Sequence, residues 1–125
     1  MTTLMCLAVA IFFEAGVESY SGKIAVADVI HNRVQDERYP NDVCSVVFEP
    51  YQFSFTHDGK PDVLPNSILA KRSIAAAIAS LAGDTLDITS THYHTVKVSP
   101  QWKNSFDFDG RIGYHLFYTN NTRYR

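Results

Sequence analysis

The feature that most constrains this fold is an uninterrupted apolar run, residues 4–13, which ends at the first charge of the chain, Glu14. A helix that is apolar on every side belongs in a protein interior, because only there does each face meet apolar neighbours. The run is too short to cross a bilayer, which takes about 20 residues. It therefore predicts a buried helix over residues 3–15 with a carboxyl group near its end, and no membrane span.

The start of the chain lacks the marks of a secretory signal peptide. No Lys or Arg precedes Lys23, and too few apolar residues precede the small-residue sequence at 8–10 to form a signal core. We therefore expect synthesis in the cytoplasm and release by another route. The net charge of −2 gives no attraction to an anionic polymer, so we expect no nucleic-acid partner.

The chain has 125 residues, of which 46% are hydrophobic, enough for one domain with its own core. Helical spacing predicts two further helices, one over residues 23–35 and one that begins at residue 66 and stops at residue 83. A short helical segment is predicted to be capped at residue 41 or 42 and to run through residue 48. Residues 49–65 are predicted as a loop. Residues 91–96 and 114–118 are β-branched and aromatic, which predicts strands, with a loop between them that carries Trp102 and Phe108. Helices followed by a small β-sheet or hairpin in the C-terminal third predict a mainly helical α+β domain over residues 1–125.

The two cysteines, Cys6 and Cys44, lie in apolar stretches and lack C-x-x-C spacing. Such cysteines behave most often as small buried hydrophobic side chains. We therefore expect buried thiols rather than a disulfide or a zinc site.

Glu14 is the leading candidate for chemistry, because a carboxyl group held among apolar neighbours has its charged form disfavoured. Its pKa then rises, which suits a general acid near neutral pH. If the helix continued past Gly16, Glu18 would lie about 6 Å from Glu14 and raise one of the two pKa values further. The alternative is a helix-end carboxylate that simply reaches water.

Three histidines offer a second candidate site. His92 and His94 alternate along a predicted strand and so face the same way, and His115 could approach them from the second strand. Three histidines suit zinc, although this spacing matches no zinc signature. The alternative is that they form structural or substrate-positioning hydrogen bonds.

Trp102, the only tryptophan, lies in the predicted loop between Gln101 and Lys103. An exposed indole offers a flat apolar face with a polar edge, which suits the C–H face of a sugar ring. The alternative is a lid packed over the core.

Together these residues resemble the bacterial cell-wall hydrolase family typified by the SleB-type spore cortex-lytic enzymes, over nearly the whole chain. The resemblance rests on the order and spacing of short motifs: EAGVE at 14–18, GKIAVADVIHNRV at 22–34, YPNDVC at 39–44, QFS at 52–54, YH at 93–94, PQW at 100–102 and RIGYHLFY at 111–118. Family members usually show Glu-x-Arg-Gly-Glu in the first motif, whereas Gly16 and Val17 stand at the Arg and Gly places here.

The resemblance implies a lysozyme-like or lytic-transglycosylase-like catalytic domain that acts on peptidoglycan in the bacterial cell wall. Glu14 would serve as the acid and base that cleaves between N-acetylmuramic acid and N-acetylglucosamine and leaves anhydro-muramyl ends. We expect no cofactor, no metal, a monomer, and a minimal enzyme without a separate wall-binding domain, of the kind carried by bacteriophages. The expected site residues are Glu18, Gln52 and His115 in supporting roles, and Tyr93, His94, Trp102 and Phe53 as sugar contacts.

Three other readings stay open. The first is simple hydrolysis of the same bond, with Glu18 or Asp28 activating water. The second is a zinc-dependent amidase or peptidase built on His92, His94 and His115. The third is a glycan-binding module that uses the aromatic side chains and catalyses nothing.

Overall fold

The computed structural model describes all 125 residues and places four α-helices before a three-stranded antiparallel sheet. This order confirms the predicted α+β class. The elements are α1 (Thr3–Ala15), α2 (Tyr20–Gln35), α3 (Val43–Val47), α4 (Ile68–Leu81), β1 (His92–Thr95), β2 (Asp107–Ile112) and β3 (His115–Thr119).

Helix α1 is the centre of the fold, as its apolar run predicts. Residues 6–11 of this helix are at most 1% exposed, and α1 packs against the other three helices. Each buried Leu, Ile or Val side chain contributes roughly 1.5–3 kcal/mol relative to an exposed one. None of the four helices combines the length and the apolar character that a bilayer crossing requires.

Polar side chains set the starts of the other helices. Ser19 Oγ accepts a hydrogen bond from the Gly22 amide at 3.2 Å, so α2 begins at Tyr20 rather than at the predicted position 23. Ser67 caps α4, and Asp42 caps α3 as one of the two predicted caps. The predicted loop over 49–65 contains a single 3₁₀ turn, Ser54–His57.

The sheet has the strand order β1-β3-β2, and its middle strand pairs with both neighbours. Strand β2 falls in the segment predicted as a loop, and this prediction is wrong. The strand is mostly exposed, with Phe108 57% accessible, and it carries a bulge between Phe108 and Gly110. A strand that is polar, exposed and irregular lacks the alternation that would reveal it in sequence.

Cys6 and Cys44 form a disulfide, which corrects the expectation of buried thiols. Their Cα atoms lie 5.2 Å apart, within the usual range for a disulfide. The bond joins the first half of α1 to α3, and it lies in the same hydrophobic cluster that surrounds α1.

Candidate active site

Glu14 lies in the last turn of α1, half buried, where Oε1 of its carboxyl group accepts a hydrogen bond from the hydroxyl of Tyr93. Burial raises the pKa of Glu14, and the Tyr93 hydrogen bond and the positive charge of Arg33 each offset part of that rise. Burial favours the protonated form, whereas Tyr93 and Arg33 favour the ionised form. Burial is the largest of these effects, so the pKa of Glu14 lies above its usual value.

Arg33, on α2, is the nearby cation that the sequence reasoning did not single out. Its side chain is 6% exposed, Nε donates to the Thr91 carbonyl at 2.8 Å, and Nη1 lies 3.5 Å from Oε1 of Gln52. The guanidinium packs over the rings of Tyr39 and Phe53. No carboxylate lies within ion-pair distance of it, so Arg33 is a buried positive charge whose field reaches Glu14.

A cavity of about 310 Å³ opens beside Arg33 and Tyr93. Glu14 is not among its lining residues and reaches the cavity wall through its hydrogen bond with Tyr93. Its wall combines the hydroxyl, amide and guanidinium groups that hydrogen-bond sugars with aromatic faces that stack on them. The lining residues are Arg33, Tyr39, Tyr51, Gln52, His92, Tyr93, Trp102 and Arg125. Tyr39 lines the cavity with the rest of its side chain, because its hydroxyl is buried and has no hydrogen-bond partner.

Trp102 combines the two alternatives that its sequence context left open. The indole is half buried, with ring centroids 5.1 Å from His92, 5.5 Å from Phe106 and 5.3 Å from Tyr118, and it also lines the cavity. Desolvation and the charges of nearby arginines lower the pKa of His92 to about 4, so its ring is neutral at neutral pH. Trp102 therefore belongs to a packed aromatic cluster and lends part of its surface to the cavity.

Two predicted sugar contacts are enclosed by the protein. His94 is 9% exposed, with Nδ1 2.7 Å from the Thr95 carbonyl and Nε2 3.0 Å from the Tyr118 hydroxyl. Phe53 is 3% exposed in the main core, beneath Arg33. Neither ring has a free face for a sugar, so we infer that His94 supports the aromatic cluster and that Phe53 supports Arg33.

Glu18 does not sit one helical turn beyond Glu14, because α1 ends at Ala15. Its buried carboxylate accepts a hydrogen bond from the Tyr114 amide at 2.7 Å and lies 3.8 Å from Nδ1 of His115. A Cβ built on Gly113, which has φ +58°, would come within 2.8 Å of this carboxylate. Glu18 therefore fixes the turn between β2 and β3, and it contributes nothing to the raised pKa of Glu14.

The sheet register keeps the three histidines apart. His115 pairs with Thr95, so its side chain projects from the face that carries Tyr93, and the two rings lie 4.9 Å apart. His92 and His94 project from the opposite face of β1. No group of three His, Cys, Asp or Glu side chains is arranged to hold a metal ion, so the geometry gives the zinc reading no support.

The Cell Wall Hydrolase family matches residues 17–118, which is most of the chain. The match starts just after Glu14, so the role assigned to Glu14 depends on the geometry described above. Spore cortex-lytic enzymes are similar over about nine tenths of this chain: that of Bacillus cereus is 40% identical over 114 residues and that of Bacillus subtilis 32% over 111 residues. The chain spans 43% and 35%, respectively, of the length of these two relatives.

Two solved structures share the fold over 94% of this chain at 29% identity. One is the catalytic domain of the germination-specific lytic transglycosylase SleB from Bacillus anthracis, with a TM-score of 0.81 and 93% of that domain covered. The other is the catalytic domain of the Bacillus cereus SleB protein, with a TM-score of 0.80 and 89% covered. The sequence match and the shared fold agree, and this chain belongs to the cell wall hydrolase family.

Proposed function

We propose that this chain cleaves peptidoglycan between N-acetylmuramic acid and N-acetylglucosamine as a lytic transglycosylase, with Glu14 as both acid and base. One observation carries the proposal: the Glu14 carboxyl group has a raised pKa and contacts Tyr93, a residue of the cavity wall. The fold shared with the catalytic domain of a lytic transglycosylase supports the same reaction.

The reaction needs a carboxyl group that first gives and then takes a proton. Protonated Glu14 donates its proton to the oxygen that joins the two sugars, and the bond from that oxygen to C1 of the muramyl residue breaks. The resulting carboxylate then accepts the proton of the muramyl C6 hydroxyl. At the same time the oxygen of that hydroxyl bonds to C1, which closes the anhydro ring. Glu14 ends protonated again, and no water is consumed.

The environment of Glu14 suits both halves of this cycle. Burial favours the protonated acid before the bond breaks, whereas the hydrogen bond from Tyr93 and the charge of Arg33 stabilise the carboxylate that forms afterwards. Tyr93 donates to Oε1, which leaves Oε2 to carry the transferred proton. Arg33 is held in place by Thr91 and Gln52, so it acts as a positioning residue for this charge.

Most hydrolytic glycosidases place two carboxyl groups around the bond. Both carboxylates considered as partners of Glu14 are engaged elsewhere, which favours transglycosylation over hydrolysis. Glu18 is buried and accepts a hydrogen bond from the Tyr114 amide at the β2–β3 turn. Asp28 accepts hydrogen bonds from Thr85 Oγ1 at 2.9 Å and from the Leu86 amide at 2.8 Å. Neither carboxylate is free to activate water.

The cavity wall supplies the sugar contacts in this proposal. Gln52 offers hydrogen bonds to hydroxyl and N-acetyl groups, and Trp102 offers part of its indole face for stacking. Peptidoglycan glycan strands are therefore the proposed partner, and the bacterial cell wall is the proposed place of action.

The test is mass analysis of purified peptidoglycan after digestion by the parent chain and by Glu14→Gln. We expect anhydro-muramyl ends, lighter by one water than hydrolysed ends, and a loss of rate of about 10²–10⁴-fold in the variant. Glu37→Gln, which changes an exposed Glu on the same protein, is the matched control and should keep parental activity. Hydrolysed reducing ends, released peptides, or binding without any product would each overturn the proposal.

A further inference from the structure

A second pocket, of about 330 Å³, lies between the first turn of α2 and the middle of α4. No residue that lines it belongs to the cavity beside Arg33 and Tyr93, and the proposed reaction does not use it. Its lining residues are Glu18, Ser19, Tyr20, Lys23, Arg72 and Ala75.

Lys23 is the unusual member of this pocket, because it is a buried cation without a carboxylate partner. The residue is 3% exposed, its Nζ donates to the main-chain carbonyl of Glu18, and no carboxylate oxygen lies within ion-pair distance. An ammonium group has three hydrogens to donate, so two remain unused. Burial lowers the pKa of Lys23 and the positive charge of Arg72 lowers it further, while the negative charge of Glu18 offsets part of that fall.

The other polar groups of the pocket add donors. Arg72 makes no hydrogen bond and no ion pair, and the Ser19 hydroxyl accepts from Gly22 but its own hydrogen has no acceptor. The carboxylate of Glu18 is held by Tyr114 on the turn between β2 and β3. The pocket therefore presents two positive side chains and a free hydroxyl, a set of groups that suits an oxyanion.

We propose that this pocket binds a carboxylate of the peptide stem attached to the glycan strand. The carrier of the carboxylate rests on the proposed function, because the peptide stems of peptidoglycan carry free carboxylates. A carboxylate here would take hydrogen bonds from Lys23, Arg72 and Ser19 and would give Lys23 the ion-pair partner that it lacks. The enzyme would then recognise the peptide and the glycan at separate places.

The test is calorimetric titration of the parent chain with the N-acetylated tripeptide Ala-γ-D-Glu-Lys, and with the same peptide after amidation of all its carboxyl groups. We expect saturable binding of the free acid and at least a roughly tenfold weaker affinity for the amide, a ratio that corresponds to about 1.4 kcal/mol. Arg72→Gln and Lys23→Gln should weaken binding of the acid to a similar extent. Lys71→Gln removes an exposed charge from the neighbouring position of α4 and should leave binding unchanged.

Several results would overturn the inference: no binding of the acid, equal binding of the amide, or an equal loss in Lys71→Gln and Arg72→Gln. A parallel titration with inorganic phosphate separates the sources of the anion, because binding of phosphate without binding of the tripeptide rules out a peptide site. If Lys23→Gln does not fold, Arg72→Gln still tests the peptide site, because Arg72 is exposed and its substitution should leave the fold intact. The titration involves no bond cleavage, and Glu14→Gln should bind the tripeptide like the parent. A result that contradicts the peptide site is therefore distinct from one that contradicts the proposed reaction.

Discussion

Tyr93 and Glu14 are separated by 79 positions in the chain, yet the tyrosine hydroxyl donates a hydrogen bond directly to the carboxyl group. This bond connects β1 to the end of α1 and lowers the pKa of Glu14 against the effect of burial. Tyr93 thus sets how readily Glu14 releases its proton. That role can be separated from packing, because Tyr93 can be changed to Phe with its ring retained.

Tyr93→Phe should raise the pKa of Glu14 further, since it removes a hydrogen bond that favours the carboxylate. For an acid catalyst, kcat/KM falls as pH rises through the pKa of the acid, so this alkaline limb should move to higher pH in the variant. Wall-lysis rates measured across the pH range test this. Tyr114→Phe, which removes an exposed hydroxyl that makes no hydrogen bond, is the matched control. An unmoved limb, or one displaced to lower pH, would show that Tyr93 does not act on Glu14.

Glu14→Gln should stabilise the folded chain, and by more as the pH rises. The folded-state pKa of Glu14 is raised from its usual 4.5, so the folded protein binds a proton more tightly than the unfolded chain does. The stability of the parent therefore falls as pH rises from 4.5 through that raised pKa, and the variant lacks this loss. Urea unfolding of both chains between pH 4 and pH 8 measures the difference. A constant difference across this range would contradict a desolvated Glu14.

Glu18→Ala should cost mainly stability. The substitution removes the hydrogen bond from the Tyr114 amide to this carboxylate, and a hydrogen bond to a charged group contributes roughly 1.5–3 kcal/mol. Any loss of lysis should then be recovered when the assay is run well below the lowered melting temperature. Inactivity at low temperature, with the fold intact by circular dichroism, would make Glu18 part of the reaction instead.

Reduction of the disulfide between Cys6 and Cys44 should lower the free energy of unfolding by about 2–4 kcal/mol, because the bond closes a long loop in the unfolded chain. Chemical unfolding with and without dithiothreitol measures this difference. The double variant Cys6→Ala, Cys44→Ala is the control, and its stability should be insensitive to the reductant. A parent that is equally insensitive would show that the two thiols are not joined.

Trp102→Ala should weaken glycan binding and stability together. The indole packs against His92, Phe106 and Tyr118, so its loss should cost about 1–3 kcal/mol of stability. Its cavity-facing part should contribute roughly tenfold in affinity for soluble glycan fragments, in line with aromatic contacts of about 1 kcal/mol. Thermal melting and fragment titration measure the two effects. Unchanged affinity beside a large loss of stability would make Trp102 part of the core alone.

Periodicity was sufficient to predict α1, α2 and α4, because each is set by a run of apolar residues and a nearby cap. Glu14 could be singled out for the same reason, as a charge placed where the apolar run ends. Strand β2 could not be predicted in this way, because its residues are polar and its pairing is interrupted by a bulge. It forms a strand because β3 lies beside it.

The long-range partners were equally invisible in sequence. The electrostatic effect of Arg33 on Glu14 and the pairing of Cys6 with Cys44 depend on how helices pack, which local spacing does not encode. The three histidines could be placed only in part. Alternation along β1 placed His92 and His94 on one face as expected, but the register of β3 decides where His115 points.

Helix α1 is fastened at two points to distant parts of the chain, at Cys6 by the disulfide and at Glu14 by the hydrogen bond from Tyr93. An α-helix turns about 100° for each residue that it gains or loses. A single insertion or deletion between these two points would therefore swing the carboxyl group away from Tyr93 or pull the sulfur atoms apart. The number of residues in this segment is therefore fixed, in addition to their apolar character.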